Sequence, residues 1–156
     1  LIEEDRRLRP IDAAQIIYVG DYIDRGPDSK GVIDALVERE LYAPQFEHIF
    51  LLGNHEDAMF NEFMVDPHGH RQDWLQWGGV EAVESYGVSV DKSKAYAQQA
   101  ERIAKELAEA LPLTHKEFFK NLQRPGKKSK SMFVSITIAS CFQYLVLGFS
   151  ISFQFF

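Results

Sequence analysis

Two short apolar runs, each followed by a polar loop, organise the first half of the chain. Residues 15–19 read QIIYV and residues 48–52 read HIFLL, and a glycine follows each run. Such β-branched and aromatic runs bounded by glycine predict buried strands. Between them, residues 30–40 carry apolar side chains at helical spacing, which predicts a helix capped by Ser29. This order predicts parallel strands joined by a crossover helix.

The pattern in the rest of the acidic part of the chain is mainly helical. Trp74 and Trp77 are interpreted as packing or cleft-wall residues, and Tyr86 as a core residue. The longest predicted helix, Lys92–Leu111, is rich in strong helix formers and ends before Pro112. Because strands precede and alternate with helices, the sequence predicts an α/β fold with a parallel or mixed sheet and flanking helices. The predicted helices after the second strand are Glu56–Met64, Trp74–Trp77, Val80–Tyr86, Lys92–Leu111 and Thr114–Leu122.

Length and charge narrow the class of protein. The chain has 156 residues and a net charge of -6, which fits one domain and argues against a nucleic-acid-binding surface. Its single cysteine, Cys141, excludes an intramolecular disulfide framework and a cysteine-based zinc cluster. The highly charged first ten residues do not resemble a signal peptide. We therefore expect a cytoplasmic protein.

The charge pattern changes abruptly near residue 123. All 23 acidic residues lie in 1–123, segment 124–130 is basic, and 131–156 has no charged residue. We interpret these segments as a partial domain, a linker and a hydrophobic tail. The tail is long enough for a transmembrane anchor, but the abrupt change favours a frameshift or splice error. A pair of core strands is a third interpretation, disfavoured because apolar and polar residues do not alternate.

Polar side chains concentrate where the two predicted strands end. The first strand leads into GDYIDRG at residues 20–26, and the second leads into GNHE at residues 53–56. Ligands of open α/β sheets bind beyond the carboxyl ends of the strands. Parallel neighbouring strands would bring the two loops together. The sequence therefore predicts a functional site at this edge.

These motifs resemble two signature blocks of the calcineurin-like metallophosphoesterases. GDYIDRGPDSKGVID (Gly20–Asp34) with GNHE is similar to the serine/threonine phosphoprotein phosphatases, and WLQWGGVEAVESYGV (Trp74–Val88) resembles their bacterial members. The resemblance covers roughly residues 14–122. It implies a partial metallophosphoesterase layer fold, incomplete at both ends. The implied enzyme hydrolyses phosphomonoesters of phosphoproteins or small molecules with a metal-activated water.

The resemblance also assigns roles to individual residues. It implies two divalent metal ions, which would be manganese, iron or zinc, with Asp21 bridging both ions and Asn54 ligating the second. His55 would protonate the leaving group as a general acid. Asp24 would orient the His55 ring, and Arg25 would bind phosphate oxygens through its planar guanidinium.

Other metal ligands of the family have no counterpart in this sequence. The family carries an earlier GDxHG block and two later histidines, whereas no DxH precedes Gly20 and no histidine follows His115. We therefore expect this chain to be inactive on its own. His68 and His70 are interpreted as exposed loop residues, although such a pair can bind a metal ion.

Alternative interpretations stay open for the whole chain and for single residues. The chain could be a dinucleoside polyphosphate hydrolase of the same fold, or a non-catalytic pseudo-phosphatase that retains the phosphate loop. A membrane partner is expected only if the tail is an anchor, and a nucleic-acid partner is not expected. Taken singly, Asp24 and Arg25 could form a surface ion pair, and Asn54 could satisfy a turn. Glu56 could simply occupy a helix start, where acids are favoured.

Overall fold

The computed structural model describes residues 15–69, 72–124, 135–137 and 151–152. Its described strands form one four-stranded sheet in the order β2-β1-β3-β4. Strand β1 lies parallel to both β2 and β3, and β4 lies antiparallel to β3. The α/β prediction, with a small parallel sheet and flanking helices, is confirmed. The strands are β1 (Gln15–Tyr18), β2 (Glu47–Phe50), β3 (Ser135–Thr137) and β4 (Ile151–Ser152).

Helical segments follow each of the first two strands and cover the sheet. The α-helices are α1 (Ser29–Tyr42), the single turn α2 (Asn54–Glu56), α3 (Gly79–Ser85), α4 (Ala100–Ala110) and α5 (Leu113–Asn121). A π-helical segment, Asp57–Phe63, continues α2, and two 3-10 helices span Gln72–Trp77 and Tyr96–Gln98. The core between these elements contains Ile16, Ile33, Met59, Phe63, Trp74, Val83, Ile103 and Leu107.

The start of α1 differs from its prediction in a way that matters for the site. Asp28, not Ser29, is the N-cap, because its side chain accepts a hydrogen bond from the Gly31 backbone N–H at 2.8 Å. A Cβ on Gly31 would lie 2.2 Å from the Asp28 carboxylate, so glycine allows this close approach. Ser29 is fully buried, and its hydroxyl accepts from the Asp24 backbone N–H instead. The helix start is thus tied to the preceding loop.

The long helix predicted from Lys92 begins only at Ala100. Asp91 folds the intervening residues into turns, since its carboxylate accepts from both the backbone N–H and the hydroxyl of Ser93. The Gln99 side chain also bonds the Asp91 backbone in both directions, at 3.1 and 2.8 Å. Local side-chain hydrogen bonds of this kind compete with helix formation. They override the helix propensity of residues 92–99.

Strands β3 and β4 are the described parts of the tail, segment 131–156. Residues 125–134, 138–150 and 153–156 lie outside the described residues, so the anchor and frameshift interpretations stay predictions. Within the described ranges, the helices are all too short or too polar to cross a bilayer.

A buried histidine joins three helical elements. His115 on α5 is 1% exposed, and its Nε2 lies 2.8 Å from the Asp34 carboxylate on α1. Lys30 also bonds Asp34 and, with His115, holds the pKa of that carboxyl below its usual value. A carboxylate only accepts hydrogen bonds, so His115 donates through Nε2. Its Nδ1 lies 2.9 Å from the hydroxyl of Tyr86, which follows α3 and is buried as predicted.

Replacing Tyr86 with phenylalanine should destabilise the fold. The change leaves Nδ1 of buried His115 without its partner, which should lower the free energy of unfolding by about 1–3 kcal/mol. Urea denaturation followed by circular dichroism measures this loss. Tyr42→Phe makes the same chemical change on a ring that is 76% exposed, and should have little effect. Equal losses in the two variants would contradict the role assigned to the Tyr86 hydroxyl.

Candidate functional site

The loops after β1 and β2 lie in direct backbone contact at the carboxyl edge of the sheet. Strand β1 pairs with β2 in parallel, with Tyr18 opposite Phe50. Two residues after Tyr18, Gly20 has a φ of +88°, and a Cβ there would lie 2.5 Å from the Gly53 backbone nitrogen. Glycine is therefore required at position 20 for both the backbone angle and the approach. The predicted meeting of the two loops is present in the structure.

One buried carboxylate accepts hydrogen bonds from the backbone of both loops. Glu56 is fully buried. Its Oε1 accepts from the backbone N–H groups of Tyr22 (2.6 Å) and Ile23 (3.2 Å). Its Oε2 accepts from those of Asp21 (2.9 Å) and Gly53 (3.1 Å). Burial raises the pKa of Glu56 and these donors oppose the rise. The carboxylate thereby satisfies backbone groups that the tight loop leaves without secondary-structure partners.

The first loop has an unusual backbone. Asp21, Asp24 and Arg25 have φ values of +57°, +77° and +61°. Left-handed conformations of non-glycine residues cost of order 1–3 kcal/mol each and cluster at functional sites. The bonds to Glu56 hold the first part of this loop, and the Asp24 amide is held by Ser29. The strained backbone places three polar side chains of one short loop at the sheet edge.

Asp24 and His55 form a close hydrogen-bonded pair across the two loops. The Oδ2 atom of Asp24 lies 2.6 Å from Nδ1 of His55, and Asp24 is 1% exposed. Trp74 donates its indole N–H to the same Oδ2 at 2.6 Å. The bond to Asp24 raises the pKa of His55 above its usual value. Burial raises the pKa of Asp24, while the bonds from His55 and Trp74 oppose that shift. The pair favours an imidazolium whose Nδ1 donates to the carboxylate.

Arg25 presents an exposed guanidinium beside this pair. Its backbone N–H donates to the Gly78 carbonyl at 2.9 Å, and its Nε donates to the Trp77 carbonyl at 3.2 Å. Within the described residues, no hydrogen bond occupies its two terminal amino groups. A guanidinium held at Nε can bind a phosphate through its outer N–H groups. The arrangement therefore suits an oxyanion ligand.

Asp21 and Asn54, the two predicted metal ligands, are exposed at the same edge. The Asp21 carboxylate accepts a bond from the His55 backbone N–H at 3.3 Å. Throughout the described ranges, no group of three or more His, Cys, Asp and Glu side chains could hold a metal ion. His68 lies in an exposed turn, and His70 lies outside the described residues. One carboxylate and one amide do not fit two metal ions, so no step is assigned to a metal here.

Two residues of this arrangement escaped prediction. Glu56 is interpreted from the sequence as an ordinary acid at a helix start, whereas its carboxylate accepts hydrogen bonds from the backbone of both loops. Trp74 is interpreted as a packing residue, and it is fully buried, but its indole N–H also donates a hydrogen bond to Asp24. A signal for Trp74 exists in principle, because a buried indole N–H needs an acceptor. For Glu56 the signal is weaker, namely a short loop rich in backbone donors that need acceptors.

Glu56→Gln should weaken the contact between the loops. An amide has one acceptor oxygen, and its NH₂ group would face backbone donors. The loss should be about 2–3 kcal/mol of unfolding free energy, as expected for bonds to a charged acceptor. Thermal and urea unfolding measure it, and the amide NMR signals of Tyr22 and Ile23 should shift. Glu101→Gln, at an exposed helical position, is the matched control. An unchanged unfolding midpoint for Glu56→Gln would refute the role of its carboxylate.

A known family model matches the part of the chain that carries this site. The family model described as calcineurin-like phosphoesterase matches residues 1–136. The match contains both loops, the Trp74–Gly78 segment and all helices of the described residues. Among curated proteins, no relative matches the chain. Because the family model covers most of the 156 residues, the assignment applies to the chain as a whole. The chain therefore belongs to the calcineurin-like phosphoesterase family, a family of metal-dependent phosphoester hydrolases.

Proposed function

We propose that this site serves hydrolysis of phosphomonoesters on serine and threonine side chains of proteins. The observation that supports the proposal is the Asp24–His55 pair, at 2.6 Å, on loops that also carry Arg25. Serine and threonine leave as strongly basic alkoxides, so their release gains most from a proton donor. The resemblance of the GDYIDRG, GNHE and Trp74–Val88 segments to serine/threonine phosphatases supports the same substrate class. A cytoplasmic location is part of this proposal.

His55 acts as the proton donor to the leaving oxygen. Because its Nδ1 proton is bonded to Asp24, the proton available for transfer is the one on Nε2, on the opposite side of the ring. The carboxylate fixes the ring orientation and stabilises the imidazolium before transfer. An attacking water molecule forms the new P–O bond as the bond to the serine or threonine oxygen breaks, and the Nε2 proton moves to that departing oxygen, which leaves a neutral imidazole. The proton lost by the attacking water passes to solvent, and solvent reprotonates Nε2 before the next cycle.

Arg25 binds the phosphoryl group. Its fixed Nε contact to the Trp77 carbonyl limits the rotation of the guanidinium, which lowers the entropic cost of binding. The positive charge offsets the negative charge of the phosphate oxygens. Arg25 and His55 therefore supply the anion-binding and acid functions that phosphomonoester hydrolysis requires.

The chain alone should hydrolyse p-nitrophenyl phosphate no faster than buffer, in Mn²⁺ or Zn²⁺. The physical reason is that Asp21 and Asn54 are too few ligands for two metal ions at useful affinity. A steady-state assay and calorimetric metal titration measure this. The Asp21→Asn variant is the control. Turnover that is lost in Asp21→Asn would contradict the expectation and would show that the chain completes a metal centre from other groups.

The acid role of His55 can be tested in a hybrid domain, in which a bacterial relative supplies the first-block Asp and His and the two later histidines. His55→Asn in the hybrid should reduce turnover of a phosphoserine peptide by roughly 10²–10⁴-fold, the usual range for general acid catalysis. p-Nitrophenolate needs little protonation, so its phosphate ester should lose much less.

An equal loss on both substrates would argue against proton donation by His55. Two further outcomes identify other functions. Hydrolysis of dinucleoside polyphosphates without hydrolysis of the phosphopeptide would assign the alternative substrate class. Phosphate binding without any turnover would assign a non-catalytic binding module.

A further inference from the structure

We propose that residues 72–79, the tryptophan-glycine segment, position the acid and the phosphate-binding group through two separate contacts. The proposal rests on the proposed function, because it concerns how Asp24–His55 and Arg25 are aligned for that reaction. The segment comprises the 3-10 helix Gln72–Trp77 and the glycines at positions 78 and 79. It is distant in sequence from both loops but contacts the first of them twice.

The first contact orients the acid. Trp74 is fully buried and donates its indole N–H to Oδ2 of Asp24 at 2.6 Å. The same oxygen lies 2.6 Å from Nδ1 of His55, while Oδ1 is buried and has no hydrogen-bond partner in the described part of the chain. Both donors thus converge on one oxygen. Removing the indole N–H should let the carboxylate rotate about its Cβ–Cγ bond and carry the His55 ring with it.

The second contact orients the phosphate-binding group. The carbonyls of Trp77 and Gly78 accept from Nε and from the backbone N–H of Arg25. Gly78 has a φ of +112°, and a Cβ there would lie 2.4 Å from Cγ of Arg25. Any side chain at position 78 would therefore displace the arginine. The segment consequently fixes both the backbone and the guanidinium of Arg25.

The two consecutive glycines separate these contacts. A Cβ on Gly79 would lie 2.5 Å from Cε2 of Trp74, whereas a Cβ on Gly78 would meet Arg25. Gly79 thus allows the indole to pack, and Gly78 allows the arginine to approach. Trp74 and Arg25 can therefore be perturbed one at a time. If the segment acted only through general packing, a change at either residue would disturb both contacts.

The test compares two variants of the full chain by NMR. Trp74→Phe should shift the ring ¹⁵N signals of His55 and leave the Nε–H signal of Arg25 in place. Gly78→Ala should shift the Nε–H signal of Arg25 and leave the ring ¹⁵N signals of His55 in place. It should also raise the phosphate concentration needed to half-saturate the shift of the Arg25 signal roughly tenfold, as for loss of one charge-assisted hydrogen bond.

Two matched variants control for bulk and backbone effects. Trp77→Phe makes the same chemical change on a ring that is 43% exposed, keeps the backbone carbonyl, and should leave both signals in place. Gly87→Ala strains a glycine at φ +82° where an added Cβ meets nothing within 4 Å. It should therefore leave Arg25 unmoved, which separates backbone strain from the contact at position 78.

The outcomes distinguish positioning from the proposed reaction. If each variant shifts only its own signal but the hybrid domain has no phosphatase activity, the positioning role is supported and the proposed function is overturned. Activity in the hybrid with both signals moving together in each variant would overturn positioning. If Trp74→Phe does not fold, exchange of the indole N–H in the unmodified chain decides the first contact. A protected, downfield indole proton supports the contact, and rapid exchange overturns it.

Discussion

The site depends on the buried carboxylate of Glu56. Its two oxygens accept four backbone N–H groups, three from the loop after β1 and one from the loop after β2. Without these bonds, the amides of Asp21, Tyr22 and Ile23 would lose their acceptor in a loop whose backbone is left-handed at Asp21, Asp24 and Arg25. Parallel pairing of β1 and β2 brings the loops to the same edge, but Glu56 sets their relative position. The Glu56 carboxylate, with the Ser29 hydroxyl that holds the Asp24 amide and the Gly78 carbonyl that holds the Arg25 amide, therefore offsets the conformational cost of this loop.

Adjacent residues of the second loop divide the structural and chemical tasks. His55 and Glu56 are the last two residues of the single turn α2, and successive side chains on a helix point about 100° apart. The Glu56 side chain therefore enters the interior and contacts backbone amides, while the His55 side chain reaches the buried carboxylate of Asp24. This coupling explains why the imidazole is placed accurately although α2 is a single turn. Movement of His55 would therefore disturb the contact that the adjacent Glu56 makes between the loops.

Elements set by local pattern were predictable, and the family resemblance implied the contact between Asp24 and His55, but the hydrogen bonds of Glu56 and Trp74 were not predicted. The apolar runs at 15–19 and 48–52 and the loops that follow them are local signals, so β1, β2 and the site edge agree with expectation. The helix predicted from Lys92 is wrong over its first two turns, because Asp91 bonds nearby side-chain and backbone groups. The hydrogen-bond partners of Glu56 and Trp74 lie at least 30 residues away in the sequence, except for the bond between Glu56 and Gly53. Spacing along the sequence does not encode such partners.

Asp24 and Glu56 show how two buried carboxylates acquire different uses. Burial raises the pKa of both groups, so each needs donors to remain ionised. For Glu56 the donors are backbone amides, which cannot change protonation and move only with the fold. For Asp24 they include the His55 ring, which can gain or lose a proton, and the Trp74 indole, which cannot. Fixed donors make Glu56 a structural anchor. A titratable donor suits Asp24 to the proton transfer proposed for His55, in which the indole would keep the carboxylate in place while the charge on the histidine changes.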